Sequence, residues 1–200
     1  MASIALTKFE SSLVSAKILL EFNATATTAC TDPKTVEQTC LKASVASAVG
    51  SWEGYLEGAI REFVSKTRVN AHRRAWTLIV QFESLVDKLA ADLNTPNWEK
   101  ARDLLIVVTG MDPYSSWIWA PKFTNPVDTR AHFDGILKVR HAFAHGFNVP
   151  GDVSGLAVPG VLDIPYSTEA IECVRFFASK TDELLEHELM HRHGCPTGWN

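Results

Sequence analysis

The sequence lacks the features of membrane-embedded and disulfide-stapled proteins. No apolar run approaches the roughly 18 residues that a membrane-spanning helix needs, and no basic stretch followed by a dense apolar core opens the chain. We therefore expect a cytoplasmic protein without a membrane partner. The four cysteines form no Cys-x-x-Cys pair, so we expect reduced thiols rather than a disulfide framework.

An excess of basic residues is also missing. The formal net charge is −4, which excludes a surface that is basic all over, so any bound nucleic acid must be held by a local patch. The chain has 200 residues, of which 46% are hydrophobic and 21% charged. This composition is typical of a globular protein, and the length suits a single domain over residues 1–200.

Apolar residues recur at helical spacing along most of the chain, which predicts an all-α fold with long helices. Cap residues followed by proline, and glycines that end apolar runs, set most of the boundaries. Residues 147–166 are rich in Gly and Pro and predict a loop or small hairpin, an irregular flap before the last helix. Residues 192–200 are expected to be a flexible tail. The predicted helices cover residues 4–26, 33–63, 71–93, 96–109, 126–145 and 167–191.

The helix predicted at residues 126–145 carries the strongest chemical signal. Its apolar residues, from Phe133 to Phe143, are expected to face the core, while Arg140, His141 and His145 gather over the last turn and a half. His141 and His145 are four residues apart and share a face. Arg140 lies about 140° around the helix axis and ~7.5 Å along it from His145. The two side chains could therefore contact the same phosphate group only because the arginine side chain is long.

Two segments resemble the HEPN domain family, and in particular the RiboL-PSP-HEPN group. Residues 140–145 read Arg-His-Ala-Phe-Ala-His and match the Arg-polar-x3-His motif of HEPN domains. Residues 52–57 read Trp-Glu-Gly-Tyr-Leu-Glu and resemble a segment on an earlier helix of that group. The second motif position is His141, where the family commonly has Asn or Asp.

The resemblance implies a HEPN-like helical bundle that acts as an endoribonuclease. Family members dimerise so that two motif helices form one metal-independent site, often in toxin or antiphage systems. It therefore implies catalytic roles for Arg140, His145 and His141, RNA as substrate, a homodimer, no cofactor, and an antitoxin or defence-system protein as a possible partner. The residue types suit this chemistry, since histidine titrates near neutrality and arginine offers a fixed fork to phosphate.

A basic stretch predicts an RNA-binding patch in a chain that is acidic elsewhere. A solvated basic turn without function is the alternative interpretation. Lys138, on the same helix as Arg140, is a further candidate. The basic residues of the stretch are Arg61, Lys66, Arg68, Arg73 and Arg74.

The last predicted helix offers a rival function. His187-Glu188-Leu189-Met190-His191 is a His-Glu-x-x-His sequence, in which two imidazoles can hold zinc while Glu188 activates water. The third ligand of a metzincin would fall at Thr197, which cannot replace a histidine. Three alternatives therefore stay open: a HEPN-type ribonuclease without metal, a zinc hydrolase, and a catalytically silent helical dimerisation or binding module.

Overall fold

The computed structural model describes residues 2–67, 76–93 and 97–200. Over these residues the chain is built of helices without a β-strand, and one isolated bridge joins Val158 to Val161. The predicted all-α class is confirmed. None of the described helices has the length and apolar content needed to cross a membrane. The helices are α1 (Ile4–Ala29), α2 (Pro33–Thr67), α3 (Trp76–Ala91), α4 (Trp98–Thr109), α5 (Pro126–Ala144) and α6 (Ile164–His191).

Five of these helices begin with the same capping device, of which α4, α5 and α6 are examples. The side chains of Asn97, Asn125 and Asp163 each accept a hydrogen bond from the backbone N–H three residues later, at 2.8, 2.9 and 2.8 Å. Such a cap satisfies one of the free N–H groups of the first turn. Asp163 corrects the predicted start of the last helix at Ser167 or Thr168. The helix begins at Ile164 because proline, here Pro165, is tolerated in a first turn.

An aromatic cluster on α2 fixes α5 and α6 in place. Trp52 is 1% exposed and stacks on Tyr55 with ring centroids 5.6 Å apart. Its ring also lies 6.4 Å from Phe133 of α5 and 6.0 Å from Phe177 of α6. Buried aromatic side chains contribute a large apolar area and favour edge-to-face geometry. The position of α5, which carries the candidate site, is therefore set by its packing on the middle of α2.

The flap between α5 and α6 is a loop rather than a hairpin, and side chains of α2 and α5 hold it by hydrogen bonds. Gln38 of α2 makes two hydrogen bonds to the backbone of Leu162, at 2.8 and 2.9 Å. Lys138 of α5 donates to Asp152 at 2.6 Å. Two side chains of the flap itself, Val153 and Leu162, are buried. The side chains that hold the flap lie on the two helices that flank the candidate site.

Residues 192–200, which the sequence predicted as a flexible tail, include a side chain that packs against α6. Trp199 is 5% exposed, and its indole N–H donates to the backbone oxygen of Asp182 at 3.4 Å. The carboxylate of Asp182 accepts hydrogen bonds from the backbone N–H of Ser3, at 3.1 Å, and from its hydroxyl. The large apolar area that the indole of Trp199 buries holds this end of the chain against α6.

Candidate functional site

The end of α5 has a fixed backbone geometry that presents the motif histidines. The N–H of Phe147 donates to the oxygen of Ala142 at 2.8 Å, and the N–H of Gly146 donates to that of Phe143 at 3.3 Å. This pair of bonds is the Schellman arrangement, in which the residue after the helix adopts a left-handed conformation. Gly146 has φ +68°, a value that side chains disfavour. The glycine thereby holds His145 and Phe147 on either side of a sharp turn.

The two motif imidazoles lie together at the surface. The rings of His141 and His145 have centroids 4.3 Å apart, and both residues are exposed. The ring of Phe147 stacks on that of His145 at 5.7 Å, with an interplanar angle of 24°. The i, i+4 spacing places the imidazoles on one face, as the sequence predicted. Two groups that can accept or donate a proton therefore meet solvent side by side.

Arg140 faces α2 and brings the two HEPN-like segments together. Its guanidinium lies 3.9 Å from the carboxylate of Glu53, with the two side chains 28% and 20% exposed. Trp52, beside Glu53, packs against Phe133 of α5. Residues 52–57 thus contact the motif helix both in the core and at the surface. The sequence alone did not assign Glu53 a place in the site.

Arg140 and His145 do not meet within one copy of the chain. Among the described residues, no hydrogen bond or ion pair joins them: Arg140 pairs with Glu53, whereas His145 contacts His141 and Phe147. This separation agrees with the angle of about 140° between positions five apart on a helix. A phosphate that contacts both groups must lie between them in one copy, or it must contact Arg140 of one copy and His145 of another.

Phe143 lies at the surface rather than in the core, where its spacing had placed it. It is 39% exposed, whereas Val139 and Ala142 are 0% and 2% exposed. The buried stripe continues from residue 139 to 142, a step of three, so Phe143 falls at its edge. Its ring adds an apolar surface next to the two histidines.

Lys42 also lies at the site, although no pattern in the sequence around it predicted this position. Its ammonium group donates to the backbone oxygen of Phe147 at 3.4 Å. Lys42 and Glu53 are 11 residues apart on α2, about three turns, so they lie on nearly the same face of the helix. That spacing is the one feature of the sequence that could have placed both residues beside α5.

The predicted RNA-binding residues that the structure describes have partners or lie away from the site. Lys138 pairs with Asp152 at 2.6 Å, and Arg61 pairs with Asp87 at 3.3 Å. Arg61 is 8 residues beyond Glu53 on α2, roughly 12 Å along the helix. Lys66 lies further on in the same helix, near its end. Three members of the basic stretch, Arg68, Arg73 and Arg74, lie outside the described residues.

The His-Glu-x-x-His segment presents two imidazoles but turns its glutamate away. His187 and His191 are exposed, with ring centroids 4.2 Å apart. Glu188 is 7% exposed, and its carboxylate lies 3.2 Å from the guanidinium of Arg192. In the part of the chain that the structure describes, no three His, Cys, Asp or Glu side chains are grouped to hold a metal ion.

A third histidine of α5 is buried and takes no part in the site. His132 is 3% exposed, stacks on Trp119 at 5.5 Å, and has Nε2 3.3 Å from the carboxylate of Glu169. Lys122 also pairs with Glu169. Burial lowers the pKa of His132 to about 4, an effect that Glu169 opposes and Lys122 reinforces. His132 is therefore neutral in the folded chain at neutral pH.

This buried histidine predicts a loss of stability in mild acid. Unfolding exposes His132, whose ordinary pKa near 6.5 lets it take up a proton, so stability falls as the pH drops from about 6.5 towards 4. We expect His132→Phe to reduce the loss between pH 7 and pH 5 by about 2 kcal/mol. The measurement is the free energy of unfolding by urea for the wild-type protein and the variant, each at pH 7 and at pH 5. The same variant at pH 7 is the control for packing, and an identical loss in both proteins would contradict the assignment.

Comparison of the chain with protein-family models, with curated proteins and with solved structures found no match.

Proposed function

We propose that the chain is a HEPN-like endoribonuclease that works without a metal ion, with Arg140, His145 and His141 in its active site. One observation carries the proposal. Two exposed imidazoles stand side by side at a glycine-fixed helix end, and the arginine of the same motif pairs with the second HEPN-like segment through Glu53. Acid-base groups and a phosphate-binding cation, brought together on one phosphate by two copies of the chain, suit transfer of a phosphoryl group.

In the proposed reaction the RNA supplies its own nucleophile. His145 accepts the proton of a 2′-hydroxyl, whose oxygen forms a bond to the adjacent phosphorus. Arg140 stabilises the charge on the non-bridging oxygens, for which its planar fork is suited. The bond from phosphorus to the 5′-oxygen breaks, that oxygen takes up a proton from water, and His145 returns the proton that it accepted to the solvent. His141 orients His145 or contacts the RNA. The products carry a 2′,3′-cyclic phosphate and a 5′-hydroxyl.

The proposal includes a homodimer in which the ends of two α5 helices form one cleft. Support comes from the separation of Arg140 and His145 within one copy and from Phe143 and Ala144, which leave apolar surface beside the histidines. A two-fold axis there would place the same groups on both sides of a phosphodiester. A toxin or antiphage role, with an antitoxin or defence-system partner, belongs to the same proposal.

Cleavage in the presence of a chelator tests the proposed chemistry. We expect EDTA to leave RNA cleavage intact and the products to carry cyclic phosphate ends, as read by end-specific labelling. His191→Ala, the matched control for the zinc hydrolase, should change the rate little because the exposed pair lies on α6.

Products with 3′-hydroxyl and 5′-phosphate ends would mean that water attacked, and the mechanism would be wrong. Peptidase activity that EDTA abolishes would support the zinc hydrolase. A folded dimer without either activity would support the silent dimerisation module.

A further inference from the structure

Phe147 is an exposed aromatic side chain on a rigid backbone. Its side chain lies in the first residues after α5 and is 58% exposed. In the Schellman arrangement the residue at this position commonly packs back onto the helix. Here the ring stacks on His145 at 5.7 Å and contacts His141 of α5 at 6.3 Å, yet it leaves most of its surface to solvent. Phe143, 39% exposed at the same helix end, adds further apolar surface beside the candidate site, and contiguous exposed apolar surface is typical of binding sites.

Hydrogen bonds to its backbone N–H and to its backbone carbonyl hold Phe147 in this position. Its N–H donates to Ala142 at 2.8 Å, and its carbonyl accepts from the ammonium of Lys42 at 3.4 Å. These bonds fix the backbone at Phe147, and the ring itself lies against the imidazoles of His145 and His141. A flat surface fixed in advance binds another flat surface with little loss of conformational entropy.

We propose that Phe147 and Lys42 form a nucleobase-binding subsite, in which a base next to the cleaved phosphodiester stacks on the Phe147 ring. The inference rests on the proposed function, and it adds a binding role to two residues outside the Arg-x4-His motif. The ring lies next to the imidazole of His145, with centroids 5.7 Å apart, so a base stacked on Phe147 lies beside the proposed acid-base group.

The charge and geometry of Lys42 fit this subsite. One of the three ammonium N–H groups binds the Phe147 carbonyl, and the others can donate to a phosphate oxygen. Base stacking on an aromatic ring tolerates any sequence, because every base has a π-face, and it requires an unpaired nucleotide. The subsite therefore selects unpaired nucleotides and sets no strict base preference.

A double-mutant cycle between the ring and the bases tests the subsite. The probes are a 2′-O-methyl RNA oligomer, which lacks the attacking hydroxyl, and an abasic oligomer of equal length and charge. We expect wild-type protein to bind the base-containing oligomer about 10-fold more tightly, on the scale of one stacked base. Phe147→Leu should remove most of this preference, and Phe147→Trp should keep it.

Phe22→Leu is the matched control, because Phe22 is 55% exposed on α1, and it should leave the preference unchanged. If Phe147→Leu retains the full preference while wild-type protein cleaves RNA, the subsite is refuted and the proposed function stands. If Phe147→Leu instead dissociates a dimer, the ring is a subunit contact and the subsite is refuted. Wild-type protein that neither binds nor cleaves RNA overturns both.

Discussion

Replacement of His145 or of Arg140 by alanine is expected to lower the rate of RNA cleavage at least ~10²-fold, the usual scale for a lost acid-base group or oxyanion donor. His145 is exposed and Arg140 is half-buried at the surface, so neither truncation leaves a cavity in the core. Both variants should therefore fold with nearly unchanged stability. The measurement is single-turnover cleavage of a labelled RNA, with circular dichroism as the check on folding.

Two conservative changes sharpen this prediction. Arg140→Lys keeps the charge but loses the two-pronged contact with phosphate, so it should stay clearly impaired. His141→Ala should lower the rate less than His145→Ala does, since its position suits orientation or RNA contact more than proton transfer. A folded His145→Ala protein with wild-type activity would contradict the assignment of the site.

Truncation of Trp52 to alanine is expected to destabilise the fold by about 3–5 kcal/mol, the range measured for large buried aromatic side chains. Its ring is 1% exposed and contacts Tyr55, Phe133 and Phe177, so the change opens a cavity where α2, α5 and α6 meet. The midpoint of thermal unfolding should fall by roughly 10 °C or more.

The control for Trp52 is Phe22→Ala, which truncates an aromatic side chain that is 55% exposed on α1. It should cost far less, because most of that ring already lies in water. Equal losses in the two variants would contradict the central position of Trp52. Activity assays of Trp52→Ala at temperatures below its unfolding transition measure how much the position of Arg140 depends on the packing of the core.

Local signals in the sequence predicted the motif helix closely. Asn125 and Pro126 mark its start, and Gly146 marks its end, because capping and left-handed backbone depend on residues within one turn. The same locality explains why His141 and His145 were placed correctly on one face. Spacing alone also indicated that Arg140 would lie apart from His145.

The contacts that complete the site could not be predicted in this way. Glu53 and Lys42 reach α5 from α2, across about 90 and 100 residues of chain, and such contacts follow from packing rather than from local pattern. The exposure of Phe143 depends on which residues of the last turn of α5 pack against the other helices. Burial of Trp199 depends on a distant acceptor, the backbone of Asp182.

A mixture of the two inactive variants tests most directly the claim that Arg140 and His145 cleave RNA in a cleft shared by two copies. Differently tagged Arg140→Ala and His145→Ala chains are unfolded together, refolded and purified through both tags. Each heterodimer then holds one intact arginine and one intact histidine. We expect it to cleave RNA at least about 10-fold faster than either parent variant. A heterodimer no more active than its parents would contradict the shared cleft, and failure to isolate any heterodimer would contradict the dimer itself.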